Sequence, residues 1–510
     1  MTSKSKPITI AVIGAGVMGR GIVQWATTVS QKILLFDEQL EVAIDAKNAI
    51  ATRLLNSVNK NRIAAEHREQ ALSKIEIASD IHDIAPASVV IEAIAEDNQA
   101  KQNLFRELEE IVGQETILCT NTSSLSITEI ASSCQNPDRV AGLHFFNPVP
   151  MMKVVEVISG EHTAKAVVIK LCNLIYKTEH HPIVCADSPG FVINHAGRAL
   201  ITEGLRIEQE RIASPADIDR IVRDSLGLRM GPFELLDLTG LDISGRVLQQ
   251  IYDGFQQEPR YRPTPKIQRR IAANKLGRKS GSGFYEYRDS RKVEPEEPTV
   301  KAISGAKYAL FGNSTAHSEI AACLERAHSK SVPLDKADFV LLTPLGSDAT
   351  SAVLRTQIEP QRAIAVDTLF PKCFEAGGRV TLMKTPATSQ DAVDCAHGAF
   401  LSAGQKVTTI ADSSGFVAQR IAASIINTAC EIAQLGLASS KDIDLGVTLG
   451  LGYPIGPLQL GDVLGAQKVL AVLTALHEQT LDARYRPSQF LRRRALLGLP
   501  LSAGFQDNSE

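Results

Sequence analysis

A single offset runs through this 510-residue chain. Ser188-Pro189-Gly190-Phe191 returns as Ser413-Ser414-Gly415-Phe416, and Gly231-Pro232-Phe233-Glu234-Leu235-Leu236-Asp237 returns as Gly456-Pro457-Leu458-Gln459-Leu460-Gly461-Asp462, both 225 residues on. Tyr261-Arg262-Pro263 returns as Tyr485-Arg486-Pro487 at 224. Chance does not hold one spacing over roughly seventy residues, so the chain carries a duplicated unit. The duplicated part reads as helix after helix, with few strand-like runs before Gly283-Phe284-Tyr285-Glu286-Tyr287.

What precedes the first copy has a different rhythm. The run Ile8–Gly16 is apolar and β-branched, and residues 17–29 then look helical, which is a buried parallel strand feeding a helix. The alternation continues through Lys32–Phe36 (strand), Glu38–Arg62 (long helix), Ser88–Ile94 (strand), Asn98–Ile111 (helix) and Thr116–Thr120 (strand). Two further extended runs, Arg139–Phe145 and Lys153–Ile158, flank Asn147-Pro148-Val149-Pro150. This pattern predicts a doubly wound α/β domain of Rossmann type. Between the helical copies, a strand at Ala306–Phe311, a helix at Ala316–His328 and a strand at Ala337–Leu342 suggest a reduced Rossmann-like unit. Its first turn, Gly312-Asn313-Ser314-Thr315, lacks the glycine spacing of a nucleotide site. The expected layout is an α/β domain at 1–186, an all-α helical domain at 187–288, a charged, proline-bearing linker at 289–300, a reduced α/β unit at 301–405 and a second helical copy at 406–510.

Composition narrows the function. With 44% hydrophobic residues the chain can form three or four cores of ordinary size. Lys+Arg 54 against Asp+Glu 57 leaves a net charge of -3, so no basic excess exists to neutralise a phosphate backbone, and nucleic acid is excluded as a main partner. No stretch approaches the ~20 apolar residues of a membrane span. Met1–Pro7 is polar and leads straight into a strand-like run, so the expected location is cytoplasmic. The eight cysteines form no CxxC pair and no His-spaced cluster, which reads as isolated thiols, with neither a disulfide frame nor a metal site.

Gly14-x-Gly16-x-x-Gly19 closes a strand and opens a helix, the context a dinucleotide fingerprint requires. The glycines allow a tight turn, close approach of the pyrophosphate and close helix packing, while the helix N-terminus faces the negative charge. Asp37, 18 residues beyond Gly19, stands where a carboxylate accepts from the adenosine ribose hydroxyls. With Glu38 beside it and no Arg following, NAD is favoured over NADP. His144 ends one extended run and Glu156 lies in the next. A hairpin through the proline-rich turn would let the carboxylate fix the imidazole tautomer for proton abstraction from a hydroxyl. By spacing alone, a structural histidine serves equally well.

The longer strings decide between these. Gly14-Ala15-Gly16-Val17-Met18-Gly19, Asn121-Thr122-Ser123-Ser124-Leu125, Gly142-Leu143-His144-Phe145-Phe146-Asn147-Pro148-Val149-Pro150-Met151-Met152, Glu156-Val157, Asp187-Ser188-Pro189-Gly190-Phe191 and Gly231-Pro232-Phe233-Glu234 together resemble the NAD-dependent L-3-hydroxyacyl-CoA dehydrogenase family, over about residues 7–287. The resemblance implies that His144 is the general base and Glu156 its partner, that Ser123 bonds the reacting substrate oxygen, and that Asn194 holds substrate and histidine in place. Around NAD it places Gly14, Ala15, Gly16, Val17, Met18, Gly19, Asp37, Glu96, Lys101, Ser123, Asn147 and Lys279, and it sets Lys60 against coenzyme A. The long format resembles bacterial enzymes acting on 3-hydroxybutyryl-CoA or, in phenylacetate degradation, 3-hydroxyadipyl-CoA, and leans to the latter.

Each residue also has a plainer reading. Ser123 suits a helix N-cap in the run Ser-Leu-Ser-Ile-Thr-Glu, Asn194 a local backbone cap, Glu96 and Lys101 a solvated helix start, and Lys60 an exposed charge. A dehydrogenase of free 3-hydroxy or sugar acids shares the glycine opening but relies on a helical-domain lysine as its base. A non-catalytic NAD-binding protein need not retain Ser123, His144, Glu156 and Asn194 together. In the second copy the position of Asn194 is taken by Gln419, and no His-Phe-Phe-Asn-Pro string follows, so one active site per chain is expected. In short members of the family the helical domains pair between subunits. The duplicated copy is therefore expected to supply that packing within one chain, with a homodimer of the whole chain left open.

Overall fold

The computed structural model describes residues 8–312 and 316–503. Met1–Pro7, the Asn313-Ser314-Thr315 part of the second turn, and residues 504–510 lie outside the described residues. The chain forms two compact units, one from the residues up to 194 together with 436–451, the other from 195–435 and 452 onward.

The first unit is built on eight strands: β1 (Thr9–Ile13), β2 (Lys32–Phe36), β3 (Ile75–Ile77), β4 (Val89–Glu92), β5 (Ile117–Thr120), β6 (Val140–Phe145), β7 (Val154–Ser159) and β8 (His181–Ala186). They lie in the order β3-β2-β1-β4-β5-β6-β7-β8, parallel except where β6 meets β7. Both faces are covered, which is why these strands read as continuous apolar runs. Ile10 and Val12 of β1 enter one core with Ile22, Trp25 and Phe145, while Ala11 and Ile13 enter the other with Leu34, Val90 and Phe105. The strand order reverses at β1 and β4, the switch point that opens a ligand crevice at the carboxyl ends.

The free edge of β8 is closed from a distant part of the sequence. Ala186 N–H donates to Leu437 O at 2.9 Å, Cys185 bridges Ala438, and the helix Ser440–Leu451 packs Leu445 and Leu449 onto Val154, Ile183 and Ile193. Gly446 and Gly450 allow this approach, since a Cβ on Gly450 would sit 2.9 Å from the Ile193 side chain. Sequence repeat and compact unit therefore do not coincide: this helix belongs to the second helical copy by its sequence and to the first sheet by its packing.

The second unit holds the hairpin β9 (Tyr287–Arg288) and β10 (Arg291–Lys292) and a six-stranded sheet of β11 (Lys307–Phe311), β12 (Lys330–Ser331), β13 (Phe339–Leu342), β14 (Ala363–Val366), β15 (Arg379–Lys384) and β16 (Lys406–Ile410). Its order is β12-β11-β13-β14-β15-β16, again with one antiparallel pair, β14 and β15. β15 lies 225 residues after β7, and the helix Pro457–Leu464 lies 225 after Pro232–Thr239, so the duplication extends into the sheets. The helical copies face each other with reciprocal bonds: Arg260 donates to Arg486 O at 3.2 Å and Arg484 to Arg262 O at 3.0 Å. That exchange is the signature of an isologous two-fold contact, here made inside one chain.

Two expectations about elements need revision. The helix expected over Glu38–Arg62 ends at Asn59, with Lys60 as its C-cap. β3 and β8 in the first sheet, and β14, β15 and β16 in the second, were not among the expected strands; of these only β14, Ala363–Val366, is a wholly apolar run. β3 has three residues, β8 carries Pro182 and an exposed His181, and β15 buries Arg379 and Thr381 within its run. No described helix is long and apolar enough to cross a membrane. None of the eight cysteines is in a disulfide, five of them are buried, and no group of three metal-ligating side chains exists among the described residues.

Candidate active site

The glycine turn after β1 shows why each glycine is there. Gly14 has φ +96°, and a Cβ on it would lie 2.7 Å from Ala93 O, so no side chain fits. A Cβ on Gly19 would lie 1.8 Å from Gly14 O, which is the close helix contact. A Cβ on Gly16 would meet nothing within 4 Å, because this position opens onto a cavity of about 730 Å³ that Ile13, Asp37, Glu38, Ile94 and Leu104 also line. No side chain caps the helix Val17–Ala26, so its first N–H groups face outward without a protein acceptor. These features fit a dinucleotide. Asp37 has a further role that spacing did not reveal: its Oδ2 accepts from Ala15 N–H at 2.8 Å and its Oδ1 from Gln39 N–H at 3.1 Å, which holds the turn in shape.

Beside the cavity, β4 ends on Glu92, fully buried, whose carboxylate receives the Lys101 ammonium at 2.5 Å, the Thr120 hydroxyl at 2.7 Å and Ile94 N–H at 2.6 Å. Lys101 is 1% exposed and also lies 3.6 Å from Glu96. Glu96 in turn accepts from the Thr122 hydroxyl at 2.7 Å, from Ser123 N–H at 3.0 Å, from the Ser123 hydroxyl at 3.3 Å and from the Ser124 hydroxyl at 3.0 Å. Burial works against the ionised form, yet the Thr122 hydroxyl, the Lys101 charge and the Ser123 N–H hold the Glu96 carboxyl below its ordinary range. The buried lysine and two carboxylates thus shape the loop that carries Ser123. The following helix, Ile127–Ala131, is capped by the Ser126 hydroxyl, which accepts from Glu129 N–H at 3.2 Å, so the N-cap reading of Ser123 does not hold.

His144 lies directly opposite Glu156 across the antiparallel β6–β7 pair, and its Nδ1 meets Glu156 Oε2 at 2.7 Å. Both are buried. The other oxygen of Glu156 accepts two backbone N–H groups at the start of the helix Ile193–Gln209, from Val192 at 3.0 Å and Ile193 at 2.8 Å. A carboxylate so saturated is fixed in orientation and takes the imidazole Nδ1–H, which leaves the Nε2 lone pair as the basic atom. Phe146 and Phe191 stand against the imidazole, with ring centroids at 4.4 and 5.8 Å. Asn194 follows in the first turn of the same helix, half-buried. Asn147 is exposed beyond β6, and Lys60 is exposed at its helix end. Lys279, in the second unit, pairs with Asp242 at 2.5 Å.

The chain matches the model of the 3-hydroxyacyl-CoA dehydrogenase NAD-binding domain over residues 9–188 and that of the C-terminal domain twice, over 190–287 and 415–503. It is 38% identical over 492 residues to 3-hydroxyadipyl-CoA dehydrogenase of Escherichia coli K12, covering 96% of this chain and 98% of that protein. The chain belongs to the NAD-dependent 3-hydroxyacyl-CoA dehydrogenase family. The 3-hydroxybutyryl-CoA dehydrogenase of Clostridioides difficile is 39% identical over 279 residues, 54% of this chain and 99% of its own length. The crystal structure of 3-hydroxybutyryl-CoA dehydrogenase from E. coli K12 superposes with a TM-score of 0.86 at 36% identity, covering 96% of this chain and 99% of that one. The C-terminal family domain is thus present in two copies.

The duplicated half of this dehydrogenase has other residues at the corresponding places. The β14–β15 register puts Asp367 across from Thr381, with Asp367 N–H donating to Thr381 O at 3.1 Å, in the geometry of His144 and Glu156. Gln419, at the place of Asn194, fills the space: its Nε2 donates to Asp367 Oδ1 at 2.9 Å and its Oε1 accepts from Gly346 N–H at 2.8 Å. Gln419→Ala is expected to lower stability by about 2–4 kcal/mol, because it strands a buried carboxyl and a buried N–H, while kcat stays within about twofold. Urea unfolding and steady-state rates measured on one preparation check this, and lost turnover in a folded variant would contradict it.

Burial pushes the Asp367 carboxyl from an ordinary value of 3.8 up to about 6. The folded state therefore holds the proton more tightly than the unfolded chain, so this group's contribution is most favourable below about pH 4 and is lost as pH rises to 6. Asp367→Asn keeps the acceptor oxygen and removes the ionisation. Its unfolding free energy is expected to gain on wild type between pH 4 and pH 7, by up to about 3 kcal/mol. A gap that stays constant with pH would show that Asp367 does not titrate in this range.

Proposed function

We propose that this chain oxidises the 3-hydroxyl of an L-3-hydroxyacyl-CoA to the 3-oxo thioester, with His144 as general base. The observation that carries the reading is the buried His144–Glu156 pair, whose carboxylate is held on its far side by Val192 and Ile193. NAD, held by the Gly14–Gly19 turn and Asp37 with Glu96, Lys101 and Asn147 around it, supplies the hydride acceptor when bound. The protein's own part is the proton. His144 Nε2 takes it from the substrate hydroxyl as the C3 hydrogen departs with its electron pair, and Glu156 stabilises the imidazolium that results. Ser123 and Asn194 hold the reacting oxygen, and Lys60 contacts coenzyme A.

The two E. coli proteins matched over nearly their whole length are named for 3-hydroxyadipyl-CoA and for 3-hydroxybutyryl-CoA, and of these two substrates we take the dicarboxylyl one, on the long format of the chain. We place the reaction in the cytoplasm, where eight free thiols suit the reducing conditions. The second half serves as architecture, so each chain turns over at one site.

The test is NADH formation with a panel of 3-hydroxyacyl-CoA thioesters of differing length, with and without a distal carboxylate, beside the matching free acids. Oxidation of thioesters alone is the expected outcome, with the highest kcat/KM for the adipyl compound. Oxidation of the free acids alone would overturn the coenzyme A assignment.

A further inference from the structure

The residue that aims the helix N–H groups at Glu156 has a backbone that its side chain does not favour. Phe191 has φ +50°, the left-handed region that a bulky L-residue rarely enters, directly after Gly190 at φ +77°. It is 1% exposed, and its N–H closes a turn by donating to Ser188 O at 2.9 Å. The next two N–H groups both reach the same oxygen of Glu156, and its ring stands 5.8 Å from the His144 ring.

The duplication supplies a comparison within the same molecule. Gly415 is left-handed like Gly190, with φ +70°, but Phe416, at the place of Phe191, has φ −73° and ψ 160°, ordinary extended backbone. There the helix starts one repeat position earlier, at Val417, and the residue in the place of Glu156 is Thr381, with no carboxylate to receive. The two strings differ only in Pro189 against Ser414, and the phenylalanine takes the unfavourable conformation only in the copy that holds the His144–Glu156 pair.

We propose that Phe191 is a positioning residue for the general base, whose left-handed backbone delays the start of the helix by one residue so that Val192 and Ile193 N–H groups converge on Glu156 and lock it against His144. The proposal rests on the assignment of His144 as base. It extends the positioning apparatus to a residue whose ring stands against His144 and whose N–H closes the turn onto Ser188.

Two variants of the full chain separate backbone from ring. Phe191→Gly removes the ring and accepts positive φ at no cost, whereas Phe191→Val removes the ring and, being β-branched, resists it. In the glycine variant, kcat stays within about fivefold of wild type and the acid limb of the pH profile of kcat/KM stays in place. In the valine variant kcat falls by about 10- to 100-fold and the acid limb moves to lower pH, with NADH affinity unchanged in both. The hydrogen-bonded Nδ1–H proton of His144, followed by NMR in histidine-labelled protein and identified by its loss in His144→Gln, persists in the glycine variant and disappears in the valine variant. Equal losses in the two variants, or a valine variant like wild type, would overturn the proposal. Should the valine variant not fold, Phe191→Ala replaces it: an unfolding midpoint below that of the glycine variant supports the strained backbone, and one equal or higher refutes it. A wild-type chain inactive on every thioester would defeat the functional reading alone, since the proton signal still reports on positioning.

Discussion

His144→Ala is expected to lower kcat for 3-hydroxyacyl-CoA oxidation by about 10²- to 10⁴-fold, the usual value of a positioned general base, while NADH affinity stays within about twofold. The separation follows from location. His144 sits at the end of β6, and its described partners are Glu156 and two aromatic rings, whereas the cavity bounded by the glycine turn is lined by residues of β1, β2 and β4 and the segments that follow them. Removing the imidazole also leaves the buried Glu156 with one oxygen unsatisfied, so a stability loss of about 1–3 kcal/mol accompanies the change. His144→Gln, which can still donate to Glu156, should recover much of the stability and little of the rate. Stopped-flow hydride transfer and NADH titration decide the matter. Parallel losses of rate and cofactor affinity would mean that the histidine organises the site as a whole and does not act on the proton.

Gly16→Val should produce the opposite pattern, with NADH affinity down by at least ~100-fold, about 2.7 kcal/mol, and an unfolding midpoint nearly unchanged. Gly16 has φ −66° and ψ −166°, a conformation any residue adopts, and a side chain there meets no protein atom. The space it would fill is the cofactor's. Gly14→Ala and Gly19→Ala are the controls, because a methyl at either would strike backbone oxygen at 2.7 or 1.8 Å and force the turn apart. One motif thus contains one glycine kept for a ligand and two kept for the fold. A Gly16→Val protein that binds NADH normally would show that the cavity is not the pyrophosphate site.

The alternation of strand and helix in the first 145 residues was legible because parallel strands buried on both faces leave unbroken apolar runs, as in Ile8–Ile13 and Lys32–Phe36. The helix Asn98–Ile111 was legible to the residue, since Asp97 caps it and its apolar stripe is regular. Of the later strands, β7, β11 and β13 were legible too, whereas β8, β14, β15 and β16 were not, nor was the short β3. β15 buries Arg379 through Asp224, Glu297 and Thr408, partners far away in sequence, so its polar residues look like loop until the fold supplies them. The site divides in the same way. His144 and Glu156 stand out because their string is distinctive, and Asp37 because its distance from the glycines is. The network of Glu92, Lys101 and Glu96 was visible only as single charges, and its meaning lies in distances that no linear spacing encodes. Phe191 did not stand out in the sequence, because Ser-Pro-Gly-Phe and Ser-Ser-Gly-Phe differ in one residue that is not the phenylalanine, while the sign of the phenylalanine φ differs between them.

The reciprocal bonds of Arg260 and Arg484 have a consequence for how such a protein can change. When two identical chains pair, every substitution, such as Gln for Asn at the place of Asn194, appears on both sides at once. When the two halves are joined, a substitution falls on one side only. The pairing is also unimolecular, so dilution does not weaken it. The second half can then differ from the first while still bound to it, and Asp367 with Gln419 is such a difference, two side chains bonded to each other at the places that match His144 and Asn194.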